Sequence, residues 1–280
     1  MQSIGKLTRG AAENDRAVPL EASVKNLYIH PIKSLDRVRV EAATILPGGG
    51  FEHDREFALF DAAGNFINGK KNPLVHHIRC EYDLARLTVN LKAPGRDESG
   101  VLHLVADKGE VEKWFREYFG TPLELRRNLI SGFPDDMDSP GPTVVSAATL
   151  QKISEWFPGI TDAAEISRRF RSNIEIDGVP AFWEDMLFRG PGEVQMFVIG
   201  AVAFSGVNPC SRCVVPSRDS QSAENTEGFM KKFAQLRRES LPEWTNAARF
   251  DHFYRVAVNT RLAPGEAGKS IRIGDLLYFT

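Results

Sequence analysis

The sequence predicts a mainly β fold with inserted helices (α+β), arranged as two successive β-rich units. Three observations carry this expectation. Short apolar runs rich in Val, Ile, Leu, Phe and Tyr recur between Gly- and Pro-bearing turns in both halves of the chain. Helical spacing of apolar residues is confined to a few isolated stretches. A segment rich in Pro, Asp, Gly and Ser, Ser131–Pro142, reads as the linker between the halves. Many short strands separated by turns point to a barrel or a sandwich.

In chain order, residues 1–22 form an N-terminal extension that is polar, small and without periodicity over its first 20 positions. The first unit is assigned to residues 23–130. Strands are expected at Val24–Ile29 and Val38–Val40, on either side of the turn-prone His30–Ser34, and again at Ala43–Leu46. Pro47-Gly48-Gly49-Gly50 then reverses the chain. Glu56–Phe60 and Phe66–Asn68 read as a hairpin, and Arg79–Tyr82, Arg86–Leu91 and Val101–Leu104 as further strands. Val111, Trp114, Phe115 and Tyr118 share one face of an expected helix over Glu110–Phe119, with Gly120 at its C-cap.

The second unit is assigned to residues 131–280. It opens with a strand at Thr143–Val145, helices at Ala148–Phe157 and Ala163–Phe170, and a strand at Ser172–Ile176. Glu193–Ala203 supplies one or two strands. Residues 220–247 are charged and irregular around a helical core, Gly228–Arg237, and their place after the cysteine motif described below makes them an expected lid. Tyr254–Val258 and Ile271–Tyr278 are strand-like. There is no internal repeat.

Composition bounds the function. The chain has 280 residues, 42% of them hydrophobic and 26% charged, with a formal net charge of −2. Enough apolar material is present to close a core, so global disorder is excluded. No global basic bias favours nucleic acid. The longest apolar runs fall short of the roughly 20 residues that span a bilayer, and charges near the start interrupt any secretory signal. Three cysteines, an odd number, argue against a disulfide scaffold and for a reducing, cytoplasmic setting.

The sharpest chemical feature is Asn208-Pro209-Cys210-Ser211-Arg212-Cys213 after a strand-like run. Two thiols three apart can share a metal or cycle through a disulfide. Tetrahedral zinc needs two more ligands, for which only Cys80 with His76 or His77 is at hand. Redox cycling of the thioredoxin kind needs a helix after the motif, and Val214-Val215-Pro216 does not start one in the usual way. Buried packing thiols are the third reading, against which Arg212 speaks, since a guanidinium is seldom buried without an anion. Other loops add cations beside small or amide side chains: Lys33-Ser34, Arg55, and Arg171-Ser172-Asn173. Such a set suits a phosphate-bearing ligand. Asp135, Asp136, Asp138 and Glu124 could bind a hard cation, although no calcium-loop spacing is present. No dinucleotide fingerprint and no nucleophile elbow occurs.

These residues resemble a known family. Cys210-Ser211-Arg212-Cys213 after a strand, Phe170-Arg171-Ser172-Asn173 before one, and Ile273-Gly274-Asp275 near the end resemble the MOSC domain, named from molybdenum cofactor sulfurases. Tyr28-Ile29-His30-Pro31-Ile32-Lys33-Ser34 and Asp54-Arg55-Glu56-Phe57 resemble the β-barrel domain that precedes MOSC in many members. The architecture is similar to that of the mitochondrial amidoxime-reducing components and their bacterial counterparts. The resemblance implies an N-terminal β-barrel-like domain followed by a MOSC β-barrel domain.

It also implies a molybdenum–molybdopterin cofactor (Mo-MPT), with Cys213 as the protein ligand to the metal and the catalytic position. Lys33, Ser34, Arg55, Arg171 and Asn173 would contact the pterin, Ser211 and Arg212 would adjoin the ligand, and Ser139 would be a further contact. The implied activity is reduction of small N-hydroxylated compounds. No iron–sulfur cysteine set or membrane anchor is evident, so electrons would come from a separate donor protein carrying flavin, iron–sulfur or haem. The run Val214–Ser220 departs from the Thr-Thr-Val-Asp-Pro of the amidoxime-reducing members, which leaves substrate preference open. The resemblance equally permits a non-catalytic carrier of molybdenum cofactor or sulfur, with a persulfide on Cys213. A third reading is a module that binds no metal.

Overall fold

A computed structural model describes residues 21–159 and 162–280. Most of the expected extension, residues 1–20, lies outside them. The first half contains β1 (Ser23–Ile29), β2 (Val38–Val40), β3 (Ala42–Thr44), β4 (Phe57–Asp61), β5 (Arg79–Asp83), β6 (Thr88–Lys92), β7 (Val101–His103), α1 (Lys108–Phe119) and β8 (Leu123–Arg127). The second half contains β9 (Val144–Ser146), α2 (Ala147–Trp156), α3 (Ala163–Phe170), β10 (Ile174–Asp177), β11 (Gln195–Ile199) and β12 (Val202–Ser211). It continues with α4 (Phe229–Glu239), β13 (Arg255–Leu262), β14 (Ser270–Arg272) and β15 (Leu277–Phe279). The chain is mainly β with inserted helices, as expected.

An eight-stranded sheet in the order β15-β11-β12-β13-β9-β10-β1-β2 organises the molecule. Only the β9–β10 pair is parallel. The start of β1 also pairs with the residues leading into β15. Val24 N donates to Asp275 O at 2.9 Å, Gly274 N to Val24 O at 2.8 Å and Leu277 N to Ala22 O at 2.8 Å. These bonds satisfy edge groups that would otherwise face water. Leu27, Val144, Phe197, Phe204 and Val258 fill the core that the curved sheet encloses. Strands of the first half therefore build the sheet of the second half, and β3 likewise pairs with β14.

The rest of the first half forms the β5-β6-β7 meander and the β4–β8 pair, packed against α1. Helix α1 buries Val111, Trp114 and Phe115, and ends where Gly120 takes a left-handed φ of 65°. Strand β8 gives little sequence signal, because only Leu123 and Leu125 turn inward among charged neighbours. Glu112 of α1 holds it in place by accepting from Leu125 N at 2.8 Å. The expected strand at Phe66–Asn68 reduces to a single bridge, Phe60 to Phe66. The expected Ile271–Tyr278 strand is broken at Gly274, where φ is 89°.

Helices α2, α3 and α4 pack on the sheet through Trp156, Phe170, Phe229 and Phe233. Asp162 caps α3 by accepting from Glu165 N at 2.7 Å, and Arg171 ends it in left-handed backbone. Residues 220–247 do not form the expected lid. Phe229 and Phe233 anchor α4 in the core, and of this region only Ser220 reaches the cavity described next.

Candidate functional site

A cavity of 880 Å³ opens where the loops of both halves meet. Six segments wall it, with Arg255 and Asn259 of β13 beside them: the turn after β1, the approach to β4, residues 68–80, residues 131–141, the α3–β10 junction, and the end of β12 with its following turn. All nine positions singled out from sequence line it: Lys33, Ser34, Arg55, Ser139, Arg171, Asn173, Ser211, Arg212 and Cys213.

Local irregularity places them. Strand β12 continues through the cysteine motif to Ser211, rather than ending before it. Its pairing with β13 shifts register between Gly206 and Asn208 and again between Pro209 and Ser211. Proline has no N–H to give to a ladder, and bulges re-aim the side chains beside them. Cys210 consequently points inward and Cys213 outward. The Cys210 thiol lies 2.7 Å from Asn259 Oδ1, and burial pushes its pKa up to about 11, so it stays a neutral thiol. Ser34, Arg55 and Arg171 hold positive φ angles of 74°, 50° and 55°. Three non-glycine residues in left-handed backbone around one cavity mark a place where the fold holds strain.

The cations divide into paired and unpaired. Lys33 is buried, and its Nζ donates to Phe133 O at 2.9 Å and to Asp135. Burial lowers its pKa, with Asp135 opposing. Arg55 pairs with Asp54 and, at 3.5 Å, with Asp135. Burial works against the Asp135 charge, yet Arg55 and Lys33 hold its carboxyl well below the usual range, although the side chain is open to solvent at the cavity. Asp135 is thus already neutralised by cations, and Glu124 pairs with Arg126. The acidic residues suggested for a hard cation do not converge. Among the described residues no three His, Cys, Asp or Glu side chains do.

Arg171 donates only to the Leu35 carbonyl at 2.8 Å, and burial with Arg55 nearby lowers its pKa to about 10. Arg212 donates to the carbonyls of Val256 at 3.0 Å and Phe170 at 3.2 Å, and its Nη2 is buried without a partner among the described residues. Asn173 lines the cavity and also braces the scaffold: its Nδ2 donates to Tyr28 O at 3.1 Å, and its Oδ1 accepts from Thr143 N at 3.2 Å. Ser211 Oγ lies 3.0 Å from His252 Nε2.

Sequence reasoning missed several cavity residues. Eleven Lys and Arg line the cavity against four Asp, in a chain whose net charge is −2. Arg37, Lys70 and Arg218 belong to no motif, and only the folded chain gathers them. His76, considered from sequence as a zinc ligand, also lines it; burial, with Arg218 and Arg171 nearby, lowers its pKa to about 4. The fully buried His30 sits behind Asp54, donating from its backbone N at 2.8 Å. Residues 131–141 are a wall rather than a spacer. A Cβ on Gly132, at a φ of 61°, would meet the Asp54 carbonyl at 2.5 Å.

Comparison with known proteins adds to this geometry. A crystal structure of the YUAD protein from Bacillus subtilis aligns over 92% of this chain and 94% of that one, at 11% identity and a TM-score of 0.39. Molybdenum cofactor sulfurase from Homo sapiens is 24% identical over 262 residues, covering 76% of this chain and 28% of that protein. The Bos taurus protein of the same name is 22% identical over 264 residues, covering 78% and 29%. The chain spans less than a third of the length of these two relatives. No helix among the described residues is long and apolar enough to cross a membrane. The MOSC N-terminal beta barrel domain matches residues 21–122 and the MOSC domain residues 143–276, and with most of its length so matched the chain belongs to the MOSC family.

Proposed function

We propose that this protein holds a molybdenum–molybdopterin cofactor between its two halves and reduces N-hydroxylated compounds with electrons from a separate donor protein. The observation that carries this reading is the exposed Cys213 thiol on the wall of a cavity whose cations outnumber its carboxylates. The residues fit such a group. Thiolate sulfur is a soft metal ligand, and guanidinium and ammonium groups grip phosphate. The Nη2 of Arg212 is a buried donor that lacks an acceptor among the described residues. Chain organisation follows the same reading, with an extension at 1–22, a first unit at 23–130 and a second at 131–280 that contribute jointly to the site.

When bound, the cofactor would supply the two-electron redox chemistry for removing the substrate oxygen. The chain supplies the rest. Cys213 would hold the metal, and Lys33, Ser34, Arg55, Ser139, Arg171, Asn173, Ser211 and Arg212 would hold the pterin. Cys210, neutral and bonded to Asn259, stays out of ligation. Asn173 fixes β1 against the entry to β9, and so fixes the two walls that carry Lys33 and Arg171.

The test is metal and pterin content of protein from a host that makes the cofactor, comparing wild type with Cys213→Ala. We expect near-stoichiometric molybdenum, lost in the variant together with turnover of benzamidoxime. Full molybdenum-dependent turnover by Cys213→Ala would overturn the assignment.

A second reading is a carrier that holds a persulfide on Cys213 and turns nothing over. The exposure of this thiol and the sulfurase name of the two mammalian relatives favour it. A reductant-labile persulfide, with no N-reduction under any donor, would select it.

A further inference from the structure

We infer that the outer part of the cavity is a second anion site, which selects substrates bearing a carboxylate or phosphate group; the inference deepens the proposed reductase reading and rests on it. Six of the lining cations face a carboxylate within ion-pair distance. Arg37, Lys70, Arg171, Arg212 and Arg218 face none among the described residues. A half-buried guanidinium without an anion is costly unless a ligand supplies one.

Arg37 donates to Ser167 Oγ at 2.7 Å and lies over the Tyr28 ring at 3.6 Å; the other four unpaired cations form two groups. On the inner side, Arg212 donates to the carbonyl of Phe170, the residue before Arg171. A pterin phosphate accounts for this side. On the outer side, Arg218 donates to the Gly69 carbonyl, and Lys70 is the next residue. The backbone that carries this second group is tied in place. Asn68 Oδ1 accepts from Lys70 N at 3.1 Å, and His76 Nε2 lies 3.3 Å from Gly69 O. Arg79 Nη2 reaches Ser220 O at 3.2 Å, so the turn after Cys213 is tied to the first half at this point.

That turn carries both the thiol and Arg218, with a single 3-10 turn, Val215–Ser217, between them. A molecule whose N-hydroxyl group meets the cofactor at Cys213 therefore has two cations beside its other end. An anionic tail on the substrate satisfies Arg218 and Lys70, while a neutral one leaves them as they are. Hydrogen bonds to a charged group contribute about 1.5–3 kcal/mol, enough for about tenfold in affinity.

The experiment compares benzamidoxime with its para-carboxylate, using the purified holoprotein and reduced methyl viologen as donor. Wild type and the Lys70→Gln/Arg218→Gln double variant are measured by steady-state kinetics and by calorimetric binding. We expect KM and Kd for the carboxylate to rise about tenfold in the variant, with kcat held and the neutral compound unaffected. Lys70 is exposed, so Lys70→Gln alone gives the same comparison if the double variant is unstable. Equal effects on both compounds, or a wild type that binds the carboxylate no better than the neutral compound, would overturn the site. Loss of pterin from the variant would overturn it too, since the cations would then serve the cofactor. Carboxylate binding that is lost in the variant, with no turnover by wild type, would keep the anion site and sink the reductase reading.

Discussion

Two arginines show how this molecule uses buried positive charge. Arg237 of α4 is fully buried, pairs with Asp185, and lies over the Phe182 ring at 4.0 Å and the Phe250 ring at 5.2 Å. Asp185 also accepts from Thr245 Oγ1 at 2.7 Å. Beside it, burial and the Asp185 charge raise the pKa of Glu184, whose carboxyl Thr149 Oγ1 meets at 2.8 Å. A protonated Glu184 leaves one positive and one negative charge, and the cluster is balanced without help. Arg212 lies over a ring as well, Phe170 at 5.4 Å, but it meets only carbonyls and borders a cavity. Charge matched within the chain holds the fold. Charge left unmatched at a cavity wall is set for a ligand.

The largest expected effect breaks the matched half of this comparison. Arg237→Leu leaves Asp185 buried without its cation, which costs about 3–5 kcal/mol. Urea unfolding of wild type and variant measures it, and a loss below about 1 kcal/mol would remove Arg237 from the structural class.

His30 tests the floor of the cavity next. It is fully buried, with a pKa lowered from 6.5 to about 3 by burial first and then by Arg171. Between those values the unfolded chain binds a proton that the folded chain refuses. Folding stability therefore falls as pH drops from about 6.5 towards 3, by up to about 1.4 kcal/mol per pH unit. Asp54, whose carboxyl is held low by Arg55 against burial, adds its own loss only near and below the ordinary carboxylate range. Urea midpoints at pH 5.0, 5.75 and 6.5 record His30 together with His76, whose pKa is lowered to about 4, so His30→Gln should reduce the slope over that range to the His76 share. A wild-type slope that persists in His30→Gln would place the proton elsewhere.

Arg212→Gln is the counterpart of the Arg237 variant, with the opposite balance of effects. Removing an unmatched charge should change stability by less than about 1 kcal/mol, while retained molybdenum falls about tenfold. Elemental analysis and urea unfolding on the same preparation decide it. A large loss of stability with the cofactor retained would make Arg212 a second Arg237.

The same contrast explains what was legible in the sequence. Motif residues that touch backbone turns carried their signal locally: Lys33-Ser34 after a proline, Arg55 after a glycine turn, Arg171 at a helix end. Helices α1 and α3 were legible because apolar spacing and a cap coincide in each. Strand β8 was not, since two inward leucines among charges leave no pattern. Nor could the sequence show that the first described strand also pairs with residues 274–277, because such pairing spans the whole chain. Arg218 and Lys70 lie 148 positions apart in sequence, and only the contact at Gly69 brings them together.

The smallest effect concerns Ser34. Its φ of 74° is one that glycine adopts freely and serine does not, and its hydroxyl has no hydrogen bond among the described residues. Nothing in the folded chain repays this conformation at Ser34 itself. Ser34→Gly relieves the strain, while glycine makes the unfolded chain freer, and the two effects nearly cancel. Stability should therefore stay within about 1 kcal/mol of wild type. Pterin content should still fall, because the deleted hydroxyl faces the cavity. Ser34→Ala separates the causes: it keeps the strained backbone and removes only the oxygen. If Ser34→Ala loses pterin as Ser34→Gly does, the hydroxyl belongs with Arg212 among groups whose partner is a ligand. If both variants keep their pterin, the strain at Ser34 serves only to turn the chain from Lys33 towards β2.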